Sequence, residues 1–161
     1  MTKKLIGALL LSFLITIPVF SDIQDDFDKL VDFSVTLEKI DEAVAAGREA
    51  ALDTDKIIIV DGAISAIQII DPEPESFFAE FELVDGKWQG LEDVKMFSSI
   101  IRLTGEEFAA RIPARRSRRA IPNEIKANSH VLVVGVLSEL RRMSDGSTTV
   151  VIDGYYVRPI D

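Results

Sequence analysis

Cysteine is absent from this 161-residue chain. That excludes disulfide scaffolds, thiolate metal sites, cysteine nucleophiles and a lipid anchor on cysteine. There is one histidine, His130, so the chain has no internal two-histidine metal site and only one possible serine–histidine pairing. No glycine-rich phosphate loop, dinucleotide fingerprint or nucleophile elbow appears, no cofactor is implied, and nothing names a reaction. No repeat of 20–50 residues points to a solenoid. What is present is apolar: 47% of residues are hydrophobic, too many for a disordered chain, and the length suits one domain.

Residues 1–21 read as a secretory signal peptide. Lys3 and Lys4 precede an uncharged apolar run from Leu5 to Val19, broken by Pro18, with Ser21 at the expected cut. The run is shorter than the roughly 20 apolar residues of a spanning helix, so cleavage is expected, and an uncleaved membrane anchor is the alternative. Export of a cysteine-free chain fits a bacterial periplasm or secretion from such a cell.

Removing residues 1–21 takes away two lysines and no acid, so the charge of −9 becomes −11. That balance disfavours nucleic acid and anionic lipid as partners. The charge is unevenly spread. Residues 22–55 hold 11 acids against three bases, whereas residues 111–142 hold eight bases against two acids.

Within 22–55, Leu30, Phe33, Leu37, Ile40 and Val44 recur at steps of three and four. This predicts an amphipathic helix over about 24–52, either single or broken near Phe33, with Gly47 weakening or ending it. Its stripe either docks on the remaining domain or pairs with a second copy.

Residues 56–161 read as β-rich. Ile57 to Ile70 is a long strand with Gly62 at its centre, which predicts a bend or bulge. Asp71-Pro72-Glu73-Pro74-Glu75 is a turn; its alternate carboxylates lack the glycine and later glutamate of a calcium loop. Phe77, Ala79, Phe81 and Leu83 alternate with polar neighbours as in a half-buried strand, and Asp85-Gly86 is the strongest hairpin-turn signal. A third strand is expected at Val94 to Leu103, a short helix or strand at Glu106 to Ile112, and an exposed connection over 113–129. Strands at Val131 to Leu140 and Thr148 to Val157 follow, joined by a turn at 144–147.

Glycine placement in Val60-Asp61-Gly62-Ala63-Ile64, Val133-Val134-Gly135-Val136-Leu137 and Ile152-Asp153-Gly154-Tyr155-Tyr156-Val157 resembles the oligonucleotide/oligosaccharide-binding (OB) fold. The resemblance is one of strand order across most of 56–160, with no specific family. It implies a mainly β, α+β chain: a five-stranded antiparallel OB-like barrel or sheet with an N-terminal amphipathic helix. A flattened sandwich or an open sheet covered by that helix is the alternative. The expected divisions are signal 1–21, acidic helical segment 22–55 and barrel 56–161.

The candidate ligand- or partner-binding residues are Arg111, Arg115, Arg116, Arg118, Arg119, Arg141 and Arg142. Five arginines in nine residues offer forked donors to an anion or partner, or a counter-charge to the acidic segment. Trp88, Phe97, Tyr155 and Tyr156 are possible stacking platforms, although Phe and Tyr in strands more often serve a core. His130, at a strand start, reads as non-catalytic, and no metal site is expected. The function expected from sequence is an exported, non-enzymatic binding protein of the bacterial envelope. Its partner would be an envelope protein, a glycan or an anionic small molecule, and self-association through the N-terminal helix is possible. A hydrolase with an unrecognised site is the alternative.

Overall fold

Five long strands carry the alternation of apolar residues. In the computed structural model, residues 26–90, 93–115 and 119–160 are described; the segment 1–21, expected as a signal peptide, lies outside them, as do Arg116 and Arg118. The strands are β2 (Ile57–Asp71), β3 (Phe78–Gln89), β4 (Asp93–Thr104), β5 (His130–Arg142) and β6 (Thr148–Pro159). A two-residue β1 (Val31–Asp32) lies parallel to the start of β2. The helical elements of the described residues include a turn at 26–30, α1 (Leu37–Ala45) and α2 (Glu106–Ala109).

The sheet closes on itself. Antiparallel pairs join β2 to β3, β3 to β4, β5 to β6 and β2 to β5, and a parallel pair joins β4 to β6. This is the OB-like barrel, mixed rather than purely antiparallel because β4 and β6 run in the same direction. Closure requires β2 to serve two partners, pairing with β5 over 57–63 and with β3 over 63–71. The expected bend is present: the register shifts between Ile64 and Ala66, and a Cβ at Gly62 would lie 2.6 Å from the Val84 carbonyl oxygen.

Inward positions fill the barrel with Val60, Phe81, Phe97, Ile101, Val133 and Ile152 among others. Two different segments plug its ends. Leu37 and Ile40 of α1 are buried at the end where the β3–β4 hairpin projects, and Phe108, Ile112 and Ile125 are buried at the other. Burying such side chains contributes about 1.5–3 kcal/mol each before entropic costs.

Two turn and loop expectations are corrected, whereas the segment expected as helix over 24–52 takes its broken form: residues 26–30 are helical, 31–32 pair with β2, and α1 starts afresh at Thr36, whose Oγ1 accepts from the Lys39 N–H. Gly47, at φ +62°, ends it as expected. Leu37 and Ile40 dock on the barrel, whereas Leu30 and Phe33 are exposed. Asp85-Gly86 is not the turn; both residues pair within the hairpin, opposite Phe97 and Met96, and Gly90 supplies the positive φ further on. The 113–129 connection is not wholly exposed, because Ile125 is part of the end plug.

Gly135 and Gly154 face each other where β5 and β6 approach most closely. A Cβ at Gly135 would sit 2.3 Å from the Asp153 carbonyl oxygen, which backbone cannot vacate cheaply. Gly135→Ala is therefore expected to lower unfolding free energy by at least about 1–3 kcal/mol, measured by urea titration. An unchanged midpoint would mean that the two strands can separate without loss.

Candidate functional site

The outward face of the β3–β4 hairpin follows from strand alternation. Its cross-strand pairs are Glu80 with Arg102, Glu82 with Ile100, Val84 with Ser98, Gly86 with Met96 and Trp88 with Val94. Beyond Asp85 and its core partner Phe97 the hairpin extends past the barrel, so both of its faces lie outside the core. One face turns Lys87 and Lys95 towards α1, with Lys87 Nζ 2.8 Å from Glu38 and Lys95 Nζ 3.2 Å from Asp41. The other presents Trp88, Val94 and Met96 to solvent, Trp88 at 69% exposure. Lacking a side chain, Gly86 leaves room for Met96 and Val94, whose atoms would meet a Cβ there at 3.1 Å. The charged side faces protein and the apolar side faces water, the reverse of what a structural hairpin needs.

Further along the hairpin, from the Glu80–Arg102 pair, lies an ionic network across four strands. Arg141 donates to both oxygens of Glu80 at 2.7 and 2.8 Å and to Glu139 at 3.0 Å. Arg102 bonds Glu139 and, at 3.2 Å, Asp153; its Nε is 3.6 Å from Glu80, too far for a hydrogen bond. The paired donation from Arg141 holds the Glu80 carboxyl below its ordinary 4.5, and the same bonds push the Arg141 guanidinium up. Tyr155 is exposed beside the network, at a depression of about 360 Å³ that Arg102, Asp153 and Phe108 also line.

Among the described residues, the predicted arginines are not brought together. Arg111 is a brace: its Nε donates to the Asn123 carbonyl oxygen at 3.0 Å and a terminal nitrogen donates to that of Val157 at 2.6 Å. Burial lowers its pKa. Arg115 and Arg119 are exposed on the connection, Arg141 is in the network, and Arg142 is exposed beside Arg141 at the last position of β5. Of the aromatic platforms, Trp88, Tyr155 and Tyr156 are exposed, and Phe97 is core. His130 Nε2 lies 3.2 Å from Asp61, while the neighbouring Ser129 hydroxyl is used in a turn, donating to the Lys126 carbonyl oxygen. Asp71 likewise caps its turn, accepting from the Glu73 N–H and the Ser76 hydroxyl. Sequence reasoning missed Glu80, Arg102, Glu139 and Asp153 as a unit; polar alternation marks each as outward, but only the register joins them.

No family model matches the chain, and no curated protein does. Among solved structures it is similar to a Plasmodium falciparum SSB in complex with ssDNA, at 14% identity and a TM-score of 0.41, covering 65% of this chain and 94% of that one. It is also similar to a small single-stranded DNA-binding protein from Streptomyces coelicolor, at 13% identity and 0.37, covering 65% and 91%. Two expectations are corrected here. They are the exported envelope binder and the ranking of nucleic acid as a disfavoured partner, neither of which agrees with the single-stranded DNA-binding proteins named for the two similar structures. The charge reasoning behind that ranking used a whole-chain sum. Here Glu38, Asp41, Glu80, Glu139 and Asp153 are matched by bases within the fold, so the sum describes no single face.

Two outcomes follow. A carboxyl held below its unfolded value stabilises the fold above that pH, and the contribution disappears as pH falls through the folded value. Wild-type stability should therefore drop more steeply than that of Glu80→Gln between about pH 5 and pH 3, measured by urea titration at each pH. Arg111→Ala should cost about 1–3 kcal/mol by stranding two carbonyls, whereas Arg115→Ala should stay within about 0.5 kcal/mol of wild type by the same measurement.

Proposed function

We propose that the barrel binds single-stranded nucleic acid along the outward face of the β3–β4 hairpin. The observation that carries this reading is Trp88, the chain's one tryptophan, held in solvent on a two-stranded shelf with Val94 and Met96. An indole fixed by a β-ladder offers a flat apolar surface to any unpaired base, and each such stack is worth about 1–3 kcal/mol. A duplex hides its base faces, so the shelf selects single strands. In OB barrels the face of the corresponding hairpin is the one that takes oligomeric ligands. Tyr155, exposed on β6 beside Arg102, offers a second platform on the adjoining surface. The ligand class is that named for the two similar barrels; the support is the surface itself.

The electrostatics give this reading a distinguishing mark. Arg102 and Arg141 already bond carboxylates, so few cations are left for phosphates. Affinity then rests on stacking, and its logarithm should fall only shallowly with the logarithm of salt concentration, by a slope of about −1 to −2. The test is a titration of intrinsic emission with a twelve-residue oligothymidylate, its RNA counterpart and a duplex of the same length. Saturable quenching by the single strands and none by the duplex is expected. Trp88→Ala should weaken binding of a labelled oligonucleotide about 5- to 150-fold in anisotropy. No saturable quenching, or equal affinity in Trp88→Ala, would sink the proposal.

A further inference from the structure

We infer that the open edge of β2 takes an extended, acidic peptide as an added strand. Residues 57–63 of β2 pair with β5, and the ladder runs on for one more step: the Ile64 N–H donates to the Ser129 carbonyl oxygen and the Asn128 N–H to that of Ile64. There the partner chain leaves. Asn128 adopts φ +64°, and the preceding residues are drawn into the barrel end, where Ile125 is buried and its N–H donates to the Arg111 carbonyl oxygen. Beyond Ile64, β2 keeps β3 on one side, and no strand among the described residues pairs with its other side.

The vacated space is a groove of about 720 Å³ between Ile67 and Ile69 of β2 and a wall that includes Pro113, Ala114 and Ala127. The unpaired edge, about five residues and some 16 Å long, matches a short strand. Exposed edges are normally guarded by charges, proline or a very short length. Residues 65–70 read Ser-Ala-Ile-Gln-Ile-Ile, with neither charge nor proline, and Ile70 is 47% exposed. Alternate side chains of an added strand would enter the groove while its backbone completes the ladder, the pattern of strand-addition recognition.

The occupant follows from chemistry and charge. A strand edge presents donors and acceptors alternately, which a peptide backbone matches and a phosphodiester, with acceptors only, does not. Among its described residues the segment 111–129 carries four basic residues and one acid; Arg115 and Lys126 are exposed on it, and the acid, Glu124, lines the groove 4.0 Å from Lys126. A second copy pairing edge to edge would set that basic segment against itself. An acidic peptide would be drawn to it.

The probes are a seven-residue peptide of alternating aspartate and valine and its lysine counterpart, added to the full chain and followed by amide hydrogen exchange. The acidic peptide should slow exchange at residues 65–70 at least tenfold, and the lysine peptide should bind at least tenfold more weakly. Arg115→Glu with Lys126→Glu should reverse that preference. Ile70→Glu, an exposed substitution that guards the edge, should weaken the acidic peptide on its own. Absence of binding, protection at Trp88 instead of 65–70, or protection of 65–70 without peptide as protein concentration rises would overturn the inference. The last result would assign the edge to a second copy.

Discussion

Everything in this molecule depends on one strand having two partners. β2 must run along β5, bend at Ile64, and run along β3, because only then does a five-strand sheet close. Gly62 permits the bend by letting the Val84 carbonyl oxygen come where a side chain would stand. The same bend sends the second half of β2 away from β5, so closing the barrel and leaving an edge unpaired are two results of one geometric requirement. Closure also fixes where the β3–β4 hairpin leaves the barrel, and hence which of its faces meets solvent.

The strands were legible because each alternates over enough residues to reveal its period. Gly62, Gly135 and Gly154 lie where the sequence reading placed them, and the N-terminal stripe does bury Leu37 and Ile40. Local signals failed where distant contacts decided. Asp85-Gly86 has the chemistry of a turn, but pairing with Met96 and Phe97 extends the hairpin past it. Val31 and Asp32 sit in a helical pattern and are captured as strand by Ile57 and Ile58. The arginine run drew attention by its density. Arg111 of that run is bound into the surface, as are Arg102 and Arg141, each matched to acceptors remote in sequence that no pattern of spacing reveals.

Whole-chain charge is a poor guide to any one face for a related reason. An acid counts towards a surface potential only when it is unmatched, and here pairing is organised by face. The lysines of the hairpin answer α1, and the arginines of β4 and β5 answer Glu80, Glu139 and Asp153. The outward shelf at Trp88 carries no charge, so it differs in character from either side of the network.

The parallel β4–β6 contact has a consequence for how the chain reaches this state. It joins strands separated by the whole of α2, the long connection and β5, whereas the two hairpins close over short turns. The loop entropy for that contact is the largest among β3 to β6, and it is repaid only once both hairpins exist. Folding should therefore pass through two preformed hairpins that dock late, with β4 and β6 both presenting unpaired edges until they meet. A nascent chain lacking β6 would expose β4 in that way, and the arrival of β6 is what seals the sheet.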